Sequence, residues 1–92
     1  MQIGNGLKEN KLIARLKEGD QTAFEILFRI YYPGLVVFAS QITLDNDEAA
    51  EIVQDFFVRL WENRGSIKES KSVKSYLFTS IKNRSLNCYS SS

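Results

Sequence analysis

Between Glu48 and Glu62 a row of apolar residues runs through Ala49, Ala50, Ile52, Val53, Phe56, Phe57, Leu60 and Trp61. Returns of three and four residues keep them on one side of a 3.6-residue helix. The opposite side carries Glu48, Glu51, Asp55 and Glu62, with Arg59 as its only cation. The segment must therefore bury one face and offer a negative stripe to its surroundings. About ten residues later a second amphipathic segment begins, and its outer face is basic. Any fold has to bury both helices and leave opposite charges outside.

A chain of 92 residues makes one small domain. At this size roughly 60–65% of the unfolded surface is buried, enough for one core without disulfides or metal. Apolar residues make up 43% and charged residues 25%, ordinary for a globular protein. No apolar run approaches the roughly 20 residues of a membrane span. The first residues, Met1 to Gly6, lack the basic and apolar regions of a secretion signal. One cysteine, Cys88, forms no internal disulfide, which fits a reducing cytoplasm.

The net charge of +1 conceals an asymmetry. Residues 1–63 carry six basic and ten acidic groups, a net of −4. Residues 64–92 carry six basic groups against Glu69 alone, a net of +5. Halves of opposite sign suggest two partners of opposite charge, or one assembly with two surfaces.

Residues 1–6 are expected to be a flexible lead. Leu7 to Glu18 reads as a first helix, with Leu7, Leu12, Ile13 and Leu16 inward. Gly19 is its stop, because glycine takes the left-handed conformation without penalty. Asp20 suits an N-cap. The next helix holds Phe24, Leu27, Phe28, Tyr31 and Tyr32, and Pro33-Gly34 interrupts it. Helical spacing resumes at Leu35, Val36, Phe38, Ala39 and Ile42, so a kink or a closely joined pair is expected near Pro33. Val36-Val37-Phe38 alone resembles a short strand, but nothing nearby pairs with it.

Asp45 and Glu48 have the spacing of a capping box ahead of the acidic-faced helix. That helix should end near Asn63, with Trp61 packed against the helix of Tyr31 and Phe38. Residues 65–72 read as a polar loop. Ser72 or Ser70 caps a last helix from about Val73 to Tyr89, with Val73, Leu77, Ile81 and Cys88 inward. Ser90 to Ser92 form a frayed end. The expected architecture is an all-α, compact bundle of about four helices, as one domain over residues 7–89.

Catalysis has little to stand on. The chain has no histidine, the usual acid–base group at neutral pH. Cys88 lies on a core stripe without a histidine partner. No Cys/His cluster, calcium-loop spacing or glycine-rich phosphate cradle is present. No cofactor is expected, and the chain does not read as an enzyme. The basic segment offers more. Lys74, Phe78 and Lys82 recur every four residues, with Tyr76, Asn83 and Arg84 on neighbouring faces. Lysines neutralise phosphates, and exposed aromatics stack on unpaired bases. By spacing alone, the same pattern also describes an ordinary solvated helix face.

Three stretches carry a resemblance. They are Gly19 to Phe24 followed by Tyr31-Tyr32-Pro33, then Glu51 to Phe57 through Leu60-Trp61, then Ser72 to Phe78 through Asn83. Together they resemble the second conserved region of bacterial sigma factors of the extracytoplasmic-function type, within the sigma-70 family. The likeness covers roughly residues 10–89, in order. It implies that Glu51, Gln54 and Asp55, with Arg59 nearby, dock on the β′ clamp helices of core RNA polymerase. It implies that Lys68, Lys71, Lys74, Tyr76, Phe78, Lys82 and Asn83 contact the minus-ten element of promoter DNA, mainly its opened strand. An anti-sigma factor is a further implied partner, and no membrane is.

Three departures stand out. Glu51 replaces the family's usual aspartate and preserves its sign, and Tyr76 stands where tryptophan is frequent. The family also continues into a helix-turn-helix domain that is absent from this chain, which stops at Ser92. The alternative reading is a helical interaction module that binds no DNA, as a homodimer or as a regulator's partner.

Overall fold

The computed structural model describes residues 5–67 and 72–91, with the side chains of residues 11–67 and 72–87. Four helices follow one another: α1 (Asn5–Lys17), α2 (Gln21–Thr43), α3 (Asn46–Glu62) and α4 (Val73–Ser91). A short 3-10 turn, Arg64–Ser66, leaves α3. No strand occurs among the described residues. The all-α bundle expected from periodicity is the fold observed. The first helix starts at Asn5, two residues before the expected Leu7, and the last reaches Ser91 rather than Tyr89. The positions assigned to Met1–Gly4, and the inward placing of Leu7 and Cys88, lie outside what is described.

Local chemistry sets the boundaries. Gly19 has φ +92 and closes α1. Its N–H reaches the Leu16 carbonyl at 2.9 Å, and the Asp20 N–H reaches that of Arg15 at 3.0 Å. That pair of bonds satisfies carbonyls the helix would otherwise leave open. Asp20 then caps α2, its Oδ1 accepting from the N–H groups of Thr22 and Ala23. Asp45 does the same for α3, accepting from Asp47 and Glu48. The Asp45 N–H donates to Thr43 Oγ1 at 3.3 Å. Ser72 caps α4, its Oγ accepting from the Ser75 N–H at 3.3 Å.

Pro33 does not end a helix. The two halves expected around it form one helix of 23 residues. Proline has no N–H to donate to the Arg29 carbonyl, yet both residues are on the exposed side. Water can meet that carbonyl there, so the cost is moderate. Spanning Pro33 also corrects the expectation that no segment approaches membrane length. Gln21–Thr43 is long and apolar enough to cross a membrane, with mean hydropathy 1.3 over an 18-residue window. Here the same helix packs against α1, α3 and α4. Its inward row is Ala23, Leu27, Tyr31, Leu35 and Ala39.

One core joins all four helices. Phe57 of α3 is 1% exposed and faces three rings. These are Phe28 at 4.9 Å, Phe56 at 5.5 Å and Phe24 at 6.1 Å between centroids. Offset and edge-on rings of this kind add about 0.5–1.5 kcal/mol each to plain burial. Trp61 packs on the helix of Tyr31 and Phe38, as expected, but near its start. It meets Phe24 at 5.3 Å and lies 4.3 Å beneath the Arg64 guanidinium. Phe38 pairs with Phe78 of α4 at 5.2 Å. The antiparallel course of α2 and α3 explains where on α2 Trp61 lands, because it sets the end of α3 beside the beginning of α2. The loop after α3 is not wholly polar either. Ile67 is 5% exposed and belongs to the core.

Candidate functional site

The outward side of α3 is formed by Glu51, Gln54, Asp55, Val58, Arg59 and Glu62, all exposed. Their spacing of three and four residues places them in one band along the helix. Val58 sits in the middle of that band and is 54% exposed. Sequence reasoning passed over it. The signal was available, since Val58 is the one apolar residue on the charged side of the segment.

The two carboxylates expected to act alike are in different states. Glu51 makes no ion pair among the described residues. Asp55 is engaged twice through a single oxygen. Its Oδ2 accepts from Arg59 Nε at 2.9 Å and from Arg84 Nη1 at 3.4 Å. The first bond lies within α3, while the second crosses to α4. Gln54 is also tied, its Nε2 donating to the Tyr32 hydroxyl at 3.1 Å. The negative stripe is thus partly neutralised from within.

On α4 the inward row is Val73, Leu77, Ile81 and Ser85. Tyr76, Lys82 and Asn83 lie exposed on the other side, with Ser75, Thr79 and Leu86 among them. Lys74 is exposed in the first turn. Phe78, expected to share a stripe with Lys74 and Lys82, is half-buried and packed edge-on against Phe38. A Cβ added to Gly34 would lie 3.8 Å from its ring, so α2 and α4 approach closely here. Lys68 and Lys71 lie outside the described residues.

The outer sides of α3 and α4 meet in a groove of about 150 Å³. Phe56, Arg59, Leu60 and Asn63 line it from α3, Ser66 and Ile67 from the loop, and Tyr76 and Arg84 from α4. Arg84 also rests over the Phe56 ring, 5.6 Å from its centroid. Two guanidiniums, one phenol and one amide border an apolar floor. Such a lining suits a planar apolar group that carries acceptors, or a group bearing negative charge. The sequence sets Arg84 beside the basic stripe, but its contacts with α3 depend on how α3 and α4 are set against each other.

No group of three or more His, Cys, Asp or Glu side chains could hold a metal among the described residues. The site offers charge, hydrogen bonds and exposed apolar surface, all of them means of binding.

The family model described as Sigma-70 region 2 matches residues 27–91, which include the second half of α2 and all of α3 and α4. No curated protein and no solved structure gives a significant match.

Proposed function

The chain belongs to the sigma-70 region 2 family, and from that premise we propose that residues 7–89 are the docking and promoter-opening domain of an extracytoplasmic-function type sigma factor. The family binds RNA polymerase and takes part in promoter melting. The finer assignment gives each charged face one of those tasks. Glu51, Gln54, Asp55 and Arg59, with Val58 among them, meet the β′ clamp helices of core polymerase in the cytoplasm. Tyr76 and Asn83 hold unpaired bases of the minus-ten element, and Lys68, Lys71, Lys74 and Lys82 take phosphates. Phe78 then acts from within, fixing α4 on α2, rather than by contact with DNA.

The observation that carries this reading is the pair of faces on adjacent helices. One is acidic with an apolar centre, the other aromatic and basic, and a groove joins them. A face with an apolar centre and a charged rim matches the anatomy of protein interfaces. An aromatic flanked by cations matches a single-strand platform.

Two variants sets test it in a reconstituted complex of core polymerase, this chain and promoter DNA. Glu51→Lys should weaken core binding at least tenfold while leaving the circular dichroism melt unchanged, since like charges across an interface cost several kcal/mol. Alanine at Tyr76 and Asn83 should relax sequence preference in promoter opening. Alanine at Lys74 and Lys82 should weaken binding to all strands and flatten its salt dependence. Undiminished core binding by Glu51→Lys would overturn the docking face. Wild-type opening by all four alanine variants would overturn the DNA face.

One observation favours the second reading, a helical interaction module that binds no DNA, as a homodimer or as a regulator's partner. Ile26, Ile30 and Val37 face outward in one row on α2, from 36% to 57% exposed. A chain that self-associates and fails to bind core polymerase in the same assay would establish it.

A further inference from the structure

We infer that Arg84 is a phosphate-binding residue held in reserve by Asp55, so that polymerase docking and DNA binding compete for one ion pair and thereby assist each other. The inference rests on the docking reading of α3.

Asp55 and Arg84 are 29 residues apart in sequence and belong to the two different faces. Their contact is the one ion pair that joins α3 to α4 among the described residues. It is well suited to exchange. The distance of 3.4 Å is longer than the roughly 2.7–2.9 Å of a strong charge-assisted bond. Asp55 is 54% exposed and Arg84 37%, so water and partners reach both. The same carboxylate oxygen already holds Arg59 at 2.9 Å. Arg84 is therefore the looser of two guanidiniums on one acceptor.

Its position completes the case. Arg84 lines the groove together with Tyr76, and its guanidinium is kept over the Phe56 ring. A guanidinium has five donors in a planar fork and stays charged at any physiological pH. Stacking on Phe56 holds that fork at the groove even when Asp55 is withdrawn. A basic partner surface that pairs with Asp55 removes the counter-charge from Arg84. The freed fork then meets a phosphate of a strand whose base lies against Tyr76. The reverse also holds, because a phosphate on Arg84 releases Asp55 to the polymerase. Coupling of binding free energies must be equal in both directions.

The expected size is modest, roughly two- to fivefold, the range open to an exposed ion pair. Two measurements on the full chain test it. First, Arg84→Gln should tighten binding to core polymerase by that factor, although Arg84 is on the other face. In an Asp55→Asn background the same change should do nothing. Second, Asp55→Asn should tighten binding of the free chain to a single-stranded minus-ten oligonucleotide at low salt by a similar factor. That gain should vanish in the Arg84→Gln background. Glu25→Gln on α2 changes net charge equally and should give a smaller gain.

The inference is overturned if Arg84→Gln leaves core affinity unchanged or weakens it. It is equally overturned if the gain from Asp55→Asn matches that from Glu25→Gln, or persists without Arg84. The polymerase measurement decides the matter even where the free chain holds DNA weakly. Failure of the docking reading is separate, since it would appear as intact core binding by Glu51→Lys, a residue outside this pair.

Discussion

Ser85 closes the inward row of α4, where every other member is apolar. It is wholly buried, and its Oγ has no hydrogen-bond partner among the described residues. A buried hydroxyl left unpaired costs about 1–3 kcal/mol, and serine is also a poorer helix former than alanine. Ser85→Ala should therefore stabilise the fold by about 1–2 kcal/mol and raise the melting temperature by several degrees. A lower melting temperature would mean that the hydroxyl is satisfied. Asp20 is the opposite case, a polar group with every partner it needs. The bond from Arg15 Nε, at 2.8 Å, holds its carboxyl below the ordinary value of 3.8. Desolvation opposes the shift, and the Ala23 and Thr22 amides add to it. A carboxyl depressed in this way stabilises the fold above its unfolded pKa and loses that contribution as pH falls through the folded one. Asp20→Asn keeps a capping side chain but has no charge to lose. The wild-type advantage in thermal melts should be full at neutral pH and shrink as the pH drops below 3.8. An advantage that stays constant across that range would remove the Arg15 pair from the account.

At the scale of elements, α2 has the most to explain. It carries a proline in its interior, on the exposed side. Proline is about 3 kcal/mol worse than alanine within a helix, while its stiffness in the unfolded chain returns about 0.4–1 kcal/mol. Pro33→Ala should raise stability by about 2 kcal/mol, read as a higher urea midpoint with an unchanged slope. A loss of stability would show that the ring packs on something. The same helix shows what could be read in advance. Its start was legible because Gly19 and Asp20 act on amides and carbonyls within a few residues. Most of its inward row, Leu27, Tyr31, Leu35 and Ala39, was legible because it repeats every four residues, while Ala23 was passed over for the larger Phe24. Its continuity through Pro33 was not, since that depends on which side of the bundle the proline faces. Ile67 was hidden for the same reason. Serines and charges surround it in sequence, and only the meeting of α3, α4 and the turn at Arg64–Ser66 makes its position interior.

For the molecule as a whole, the two charged faces were legible and their connection was not. Composition by segment gave a negative part and a positive part, and helical spacing gave each a side. Nothing in periodicity fixes the register of α3 on α4, and that register alone brings Arg84 to Asp55. The retained positions Glu51, Tyr76, Lys82 and Asn83 stand exposed where spacing set them, while Phe78 turned inward because α2 and α4 come together at Gly34. The Asp55–Arg84 contact also bears on how such a chain can vary through descent. A residue that serves two faces is not free to change alone. Loss of the carboxylate at 55 leaves a guanidinium at 84 without a counter-charge, and loss of the guanidinium leaves the carboxylate to Arg59. Substitutions at the two positions are therefore expected to arise as correlated pairs across lineages, whereas Glu51, which makes no ion pair among the described residues, is free to drift among acids by itself.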